Sequence, residues 1–65
     1  MKVQYFEDTD TLYIEFSRGR IVETNDLDEN TVLDLDAAGN VCAITLEHAS
    51  TRTDVQHLTL EGIAA

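Results

Sequence analysis

The stretch Thr11-Leu12-Tyr13-Ile14-Glu15-Phe16-Ser17 decides the fold. In an extended chain Leu12, Ile14 and Phe16 fall on one side and Tyr13, Glu15 and Ser17 on the other, the period of two that marks a strand with one covered face. The same alternation recurs in Val41-Cys42-Ala43-Ile44-Thr45-Leu46-Glu47, where Cys42, Ile44 and Leu46 share a side. Working outward, Val3 and Tyr5 share a face before it, Val22 and Thr24 after it, and Leu33 and Leu35 alternate with Val32, Asp34 and Asp36. The pattern predicts strands near residues 2–6, 11–17, 21–25, 31–36 and 41–47.

The segments between them carry turn chemistry. Glu7-Asp8-Thr9-Asp10 is a polar loop, Arg18-Gly19-Arg20 a tight connection in which the glycine can take a positive φ, and Asn25 to Asn30 an acidic loop. Asp36-Ala37-Ala38-Gly39-Asn40 suits a type I turn closed by a left-handed glycine. Short connections favour antiparallel neighbours, so a meander is the expected topology. Further on, Thr53-Asp54-Val55-Gln56 fits a capping box and Val55 and Leu58 would share a helical face, whereas His57-Leu58-Thr59-Leu60-Glu61 alternates like a strand. The expectation is a short helical turn followed by an extended segment or extra strand. The fold class is therefore mainly β, or β-rich α+β. A single domain is expected over residues 1–65, with the sheet over about 2–47 and a covering segment over about 50–65.

Composition narrows the function classes. A chain of 65 residues buries a limited core and gains from a disulfide, a metal or self-association. Cys42 is the single cysteine, which excludes an internal disulfide and, with no secretory segment at the N-terminus, points to a reducing, cytoplasmic setting. The longest apolar run, Val41-Cys42-Ala43-Ile44, is far short of a membrane span. Thirteen acids against four Lys and Arg give a net charge of −9. With Arg18 and Arg20 the one close basic pair, nucleic acid and anionic membrane are disfavoured as partners.

No chemical motif survives inspection. Cys42 has core-facing parity, and His48 lies about 20 Å away if the strand continues, too far to serve as its base. Asp26, Asp28 and Asn30 open like a calcium loop, but Thr31 stands where glycine is needed and Ala37 where the closing acid is needed. The second attempt, from Asp34 and Asp36, fails at Ala38 and Thr45. A weak cation site at Asp8 and Asp10 or at Asp26 and Asp28 stays open beside the reading of solvated turn residues. Ser17 and Ser50 lack a nucleophile context, and the three glycines are too dispersed to cradle phosphate. The chain reads as non-enzymatic, with no cofactor and no resident metal.

One pattern runs through most of the chain: Tyr5, Glu7-Asp8-Thr9-Asp10, Leu12-Tyr13-Ile14-Glu15-Phe16-Ser17, Glu23-Thr24, Leu27-Asp28-Glu29-Asn30, Val32-Leu33-Asp34-Leu35-Asp36-Ala37-Ala38-Gly39-Asn40, then Val41, Ile44, Leu46-Glu47 and Ala49-Ser50. It resembles the small bacterial family known as domain of unknown function 2283, over about residues 2–52. The most specific pieces are Asp10-x-Leu12-Tyr13-Ile14 and Asp34-x-Asp36-x-x-Gly39; Arg20 or Ile21 stands where the family usually has a proline after the second strand. The resemblance implies a small β-rich domain of unassigned activity, similar to proteins encoded beside small toxin-like proteins, and hence an antitoxin role. It brings no catalytic or ligand residues.

Two readings remain level. In the first, the chain is a protein-interaction domain, an antitoxin-like inhibitor of a small basic toxin. In the second, it is a self-associating structural or regulatory domain, most simply a homodimer that covers apolar sheet surface. A weak small-ligand or cation binder is the third. The interface candidates are acids beside apolar or aromatic side chains: Tyr13 and Glu15 on one strand, Val32, Asp34 and Asp36 on another.

Overall fold

A computed structural model describes residues 1–57. They form one open sheet of five antiparallel strands, β1 (Lys2–Phe6), β2 (Thr11–Glu15), β3 (Glu23–Asp28), β4 (Thr31–Leu35) and β5 (Val41–Glu47), followed by a 3-10 turn at Ala49–Thr51. The mainly β fold class holds. β1 and β5 lie where the alternation puts them, and β2 and β4 end one or two residues early.

The topology departs from a meander at one connection. The spatial order is β1-β2-β5-β4-β3. Hence β1–β2 is one hairpin, β3–β4–β5 is a three-strand meander, and residues 16–22 carry the chain past β5 and β4 to the far edge. This is a Greek-key connection. It spans three strand spacings, roughly 14 Å, which seven residues reach with ease. β5, the most continuously apolar strand, takes the centre. The acidic β3 takes an edge, where all six of its residues are exposed.

A β-bulge sets the crossing point. Asp34 pairs with Ala43 but Leu35 pairs with Val41, so Cys42 is an extra residue in β5. Its carbonyl accepts from both Phe16 N (2.7 Å) and Ser17 N (3.2 Å), and there β2 leaves the sheet. The chain rejoins when Val22 N donates to the Leu35 carbonyl at 2.9 Å. That is why the third strand starts at Glu23 and not at residue 21. The segment from Asn25 onward, expected as a loop, is strand as far as Asp28. Pairing with Val32 and Leu33 overrides its low β propensity.

Gly19 lies in this crossover and not in a tight turn. Of the two described glycines, Gly39 alone has a positive φ, at 84°. Gly19 matters for space: a Cβ there would sit 3.2 Å from Cys42 Sγ. Cys42 is thus covered by the passing chain, and the bulge removes it from simple strand parity.

Elsewhere the register lines up the apolar face. Val3, Ile14, Ile44 and Leu33 stand abreast across four strands, and Tyr5, Leu12, Leu46 and Thr31 form the next row. Phe16 and Val22, expected on this face, lie in the crossover and are exposed. Thr53 and Val55 approach the apolar face, where with Val3, Tyr5, Leu12 and Ile14 they border a cleft of about 270 Å³. Among the described residues the fully buried ones are Cys42, Ala43, Ala49 and Thr31. No large aliphatic or aromatic side chain joins them.

The C-terminal part of the description replaces the expected capping box. Thr53 does not cap forward onto Gln56; its N (2.8 Å) and its Oγ1 (3.3 Å) both donate back to the Ala49 carbonyl. A single turn follows, His57 N to the Asp54 carbonyl at 3.3 Å. The extended segment and the cover expected from Leu58, Leu60 and Ile63 lie outside the described residues. Arg52 ties this region to the sheet. Its Nη1 donates to the carbonyls of Asn30 (2.7 Å) and Glu47 (3.1 Å), and its Nη2 donates to Thr31 Oγ1 (2.6 Å).

Two stability outcomes follow from this packing. Gly19→Val should cost about 1–3 kcal/mol by overpacking against the thiol. Cys42→Ala should recover part of that loss, so a double-mutant cycle in urea should show coupling, and strict additivity would refute the contact. Arg52→Ala should cost about 1–2 kcal/mol. Arg52→Lys should recover little, because one ammonium cannot reproduce a planar fork that meets three acceptors.

Candidate functional site

The face opposite the apolar rows is where the strands gather charge. On one rung Tyr13 of β2, Thr45 of β5 and Val32 of β4 lie abreast. On the next rung Glu15, Ala43 and Asp34 do the same, with Lys2 beside Glu15 and Thr24 beside Asp34. Four of the five interface candidates, Tyr13, Glu15, Val32 and Asp34, therefore share one patch around the small side chains of β5. Two strand spacings, roughly 10 Å, separate Glu15 from Asp34.

Asp36 is not part of it. It begins the β4–β5 turn, where its Oδ1 accepts from Ala38 N and Asn40 N, each at 2.9 Å. Those backbone donors hold its carboxyl below the usual carboxylate range. Its acidity serves the turn, which strand parity alone does not reveal.

Within the patch Tyr13 Oη donates to Glu15 Oε2 at 3.4 Å, and Thr24 Oγ1 donates to Asp34 Oδ1 at 2.9 Å. Partial burial, then the charge and hydrogen bond of Glu15 and the charge of Asp34, push the Tyr13 phenol above its ordinary pKa. It stays neutral and can donate. The crossover walls one side of the patch and leaves a cleft of about 400 Å³, bordered by Lys2, Tyr13, Glu15, Arg18, Ile21 and Ala43. An apolar rung with a phenol beside a rung with two carboxylates can recognise a basic, partly apolar surface.

The thiol and several carboxylates outside the patch are tied into the structure. Cys42 is buried, and its thiol contacts the Asn40 carbonyl at 3.9 Å. Among the described residues no three His, Cys, Asp or Glu side chains gather in a way that would hold a metal ion. Of the carboxylates considered for a cation, Asp28 is engaged: it accepts from Asn30 N at 2.8 Å and lies 3.7 Å from Arg52.

Asp10 is the residue that strand reasoning missed. Its Oδ1 accepts from Tyr5 Oη (2.5 Å) and Ser50 N (3.0 Å), its Oδ2 from Ser50 Oγ (2.7 Å), and its carbonyl from Ala49 N (2.9 Å). It thereby fastens the 3-10 turn to the β1–β2 loop. Its φ of 51° is left-handed, a conformation that Asp and Asn tolerate best among non-glycine residues. The signal lay in Asp10 and Ser50 both belonging to the quoted family pattern.

Fold and patch define a class: a small open antiparallel sheet with one apolar and one acidic face. The family model described as "Protein of unknown function (DUF2283)" matches residues 2–50, and the chain belongs to that family. No curated protein and no solved structure matches it. Among the described residues no helix is long and apolar enough to cross a membrane.

The Asp10 junction carries a pH signature. The hydrogen bonds from Tyr5 and Ser50 lower the Asp10 pKa in the folded state. The stability it contributes is complete above the unfolded carboxylate value, near pH 4, and is lost as pH falls through the folded value. Asp10→Asn preserves the left-handed backbone and removes the charge. The gap between wild type and this variant in urea midpoint should be widest near neutrality and shrink below about pH 4. A gap constant across that range would contradict the assignment.

Proposed function

We propose that the chain is a non-enzymatic protein-interaction domain that docks its acidic face on a basic protein, in the manner of an antitoxin holding a small basic toxin. The observation that carries this reading is the register that sets the Tyr13–Val32 rung beside the Glu15–Asp34 rung. A net charge of −9 supplies attraction at a distance, while a desolvated phenol and valine slow dissociation. The non-enzymatic part rests on where reactive groups are spent: the Cys42 thiol is covered, and Asp10, Asp28 and Asp36 each accept a hydrogen bond from backbone N–H.

The self-associating reading has its own support. The rows Val3-Ile14-Ile44-Leu33 and Tyr5-Leu12-Leu46 contain no fully buried residue. A sheet face of that kind is stabilised by a second layer.

The experiment is co-expression with the protein encoded by the adjacent reading frame, followed by binding kinetics across a salt series. Glu15→Gln with Asp34→Asn should lower the association rate about tenfold at low salt and flatten its salt dependence. Tyr13→Ala should cost about 2 kcal/mol, expressed mainly as faster dissociation. No complex at low salt, or one indifferent to salt and to both acids, would end this reading.

A further inference from the structure

The sheet ends at two edges, β1 and β3. Among the described residues nothing pairs with the outer side of either strand, so each presents alternate backbone N–H and C=O groups that can template another strand. The two edges are defended differently. β3 carries Glu23, Asp26 and Asp28, and its ladder shifts between Asp26 and Asp28 to leave Leu27 over. Charge and a bulge are both devices that keep an edge single. β1, Lys2-Val3-Gln4-Tyr5-Phe6, has no acid and no proline, and its ladder with β2 runs unshifted from Lys2–Glu15 to Phe6–Thr11. Its apolar side chains remain accessible, with Val3 39%, Tyr5 37% and Phe6 47% exposed.

We propose that β1 pairs antiparallel with β1 of a second copy, making one continuous ten-stranded sheet. Charge selects the occupant. Two chains of net charge −9 repel over most of their surface, but β1 is a strand with a lysine and no acid. The sequence is also complementary to itself. The register that uses all five residues sets Gln4 opposite Gln4, Val3 opposite Tyr5 and Lys2 opposite Phe6. Val3 and Tyr5 lie on the apolar face, so a β-branched residue meets an aromatic one twice, a favourable cross-strand pair. The apolar rows of the two copies then join into one surface. On the other face each Lys2 ammonium comes beside a Phe6 ring, an attractive arrangement. The pairing leaves Tyr13, Glu15, Val32 and Asp34 uncovered, so it stands independently of the basic-partner reading.

The test uses the whole chain in sedimentation equilibrium at tens to hundreds of micromolar. A monomer–dimer equilibrium is expected. Phe6→Glu places a carboxylate opposite the other copy's Lys2 and should raise the association constant about threefold or more. Phe6→Lys sets two ammonium groups opposite each other and should lower it by a similar factor. Phe6 is exposed, so both variants should retain the wild-type circular dichroism. Gln4→Cys, on the two-fold axis, should form an interchain disulfide under mild oxidation, whereas Lys2→Cys, opposite Phe6, should not. A monomer mass throughout the range would overturn the proposal. So would Phe6 variants that shift association in the same direction, or equal cross-linking from both cysteine variants.

Discussion

The carbonyl of Cys42 accepts two hydrogen bonds, from Phe16 N and Ser17 N, at the point where β5 holds one residue more than β4 opposite it. The rest of the arrangement depends on this junction. It ends β2, turns the chain out of the sheet and sends it across β5 and β4 to start β3 at the far edge. Without the crossing, β2 and β3 would be neighbours and β5 would lie at an edge with its apolar backbone ladder half unpaired. With it, the acidic β3 is the edge and β5 is flanked on both sides. The crossover also walls the cleft beside Tyr13 and Glu15, so the topology and the acidic patch have one cause.

The opposite end of the sheet is closed by polar contacts. Asp10 gathers Tyr5 and Ser50, and Arg52 gathers Asn30, Glu47 and Thr31. Each brings the chain after β5 onto a turn from elsewhere in the sequence: the β1–β2 loop for Asp10, the β3–β4 turn for Arg52. Such contacts are individually modest in water. They matter here because among the described residues no large apolar side chain is fully buried, so hydrophobic packing leaves a larger share of the closure to hydrogen bonds. An acidic chain held in this way is sensitive to acid, since Asp10, Asp28 and Asp36 all have lowered pKa values.

Strand existence was legible in the sequence because period-two alternation is a local property. Residues 2–6 and 41–47 were read to the residue, and the grouping of Tyr13, Glu15, Val32 and Asp34 on one face followed from parity within regular ladders. The order of strands was not legible. Nothing local in Arg18-Gly19-Arg20 distinguishes a tight turn from the middle of a seven-residue crossover; the difference is made by β5, more than twenty residues later. The same non-locality hid the strand character of Asn25 to Asp28, which comes from its partner β4. Parity put Cys42 in the core and it is buried, though at a bulge under the crossover; parity misled at Asp36, where a turn claims the side chain. Asp10 and Arg52 act across 40 and 22 residues of sequence, separations that alternation does not report.

The two proposed contacts make different demands on the sheet and fit it without conflict. Strand pairing at β1 uses backbone groups in the plane of the sheet, while the acidic patch is presented perpendicular to that plane from β2 and β4. A two-fold axis normal to the sheet keeps both acidic faces on the same side. In the proposed dimer two patches would therefore address one surface together, and their charges would add at long range where a basic partner first senses them. The axis passes between the two Gln4 residues, two and a half strand spacings from β5, so the patches would lie about five strand spacings apart, roughly 24 Å between centres. That exceeds the Debye length of about 8 Å at physiological salt, so the two patches repel each other little while each still attracts a cation-rich surface. Charge of one sign is thus compatible with self-association when it is kept on the faces and away from the edge that pairs.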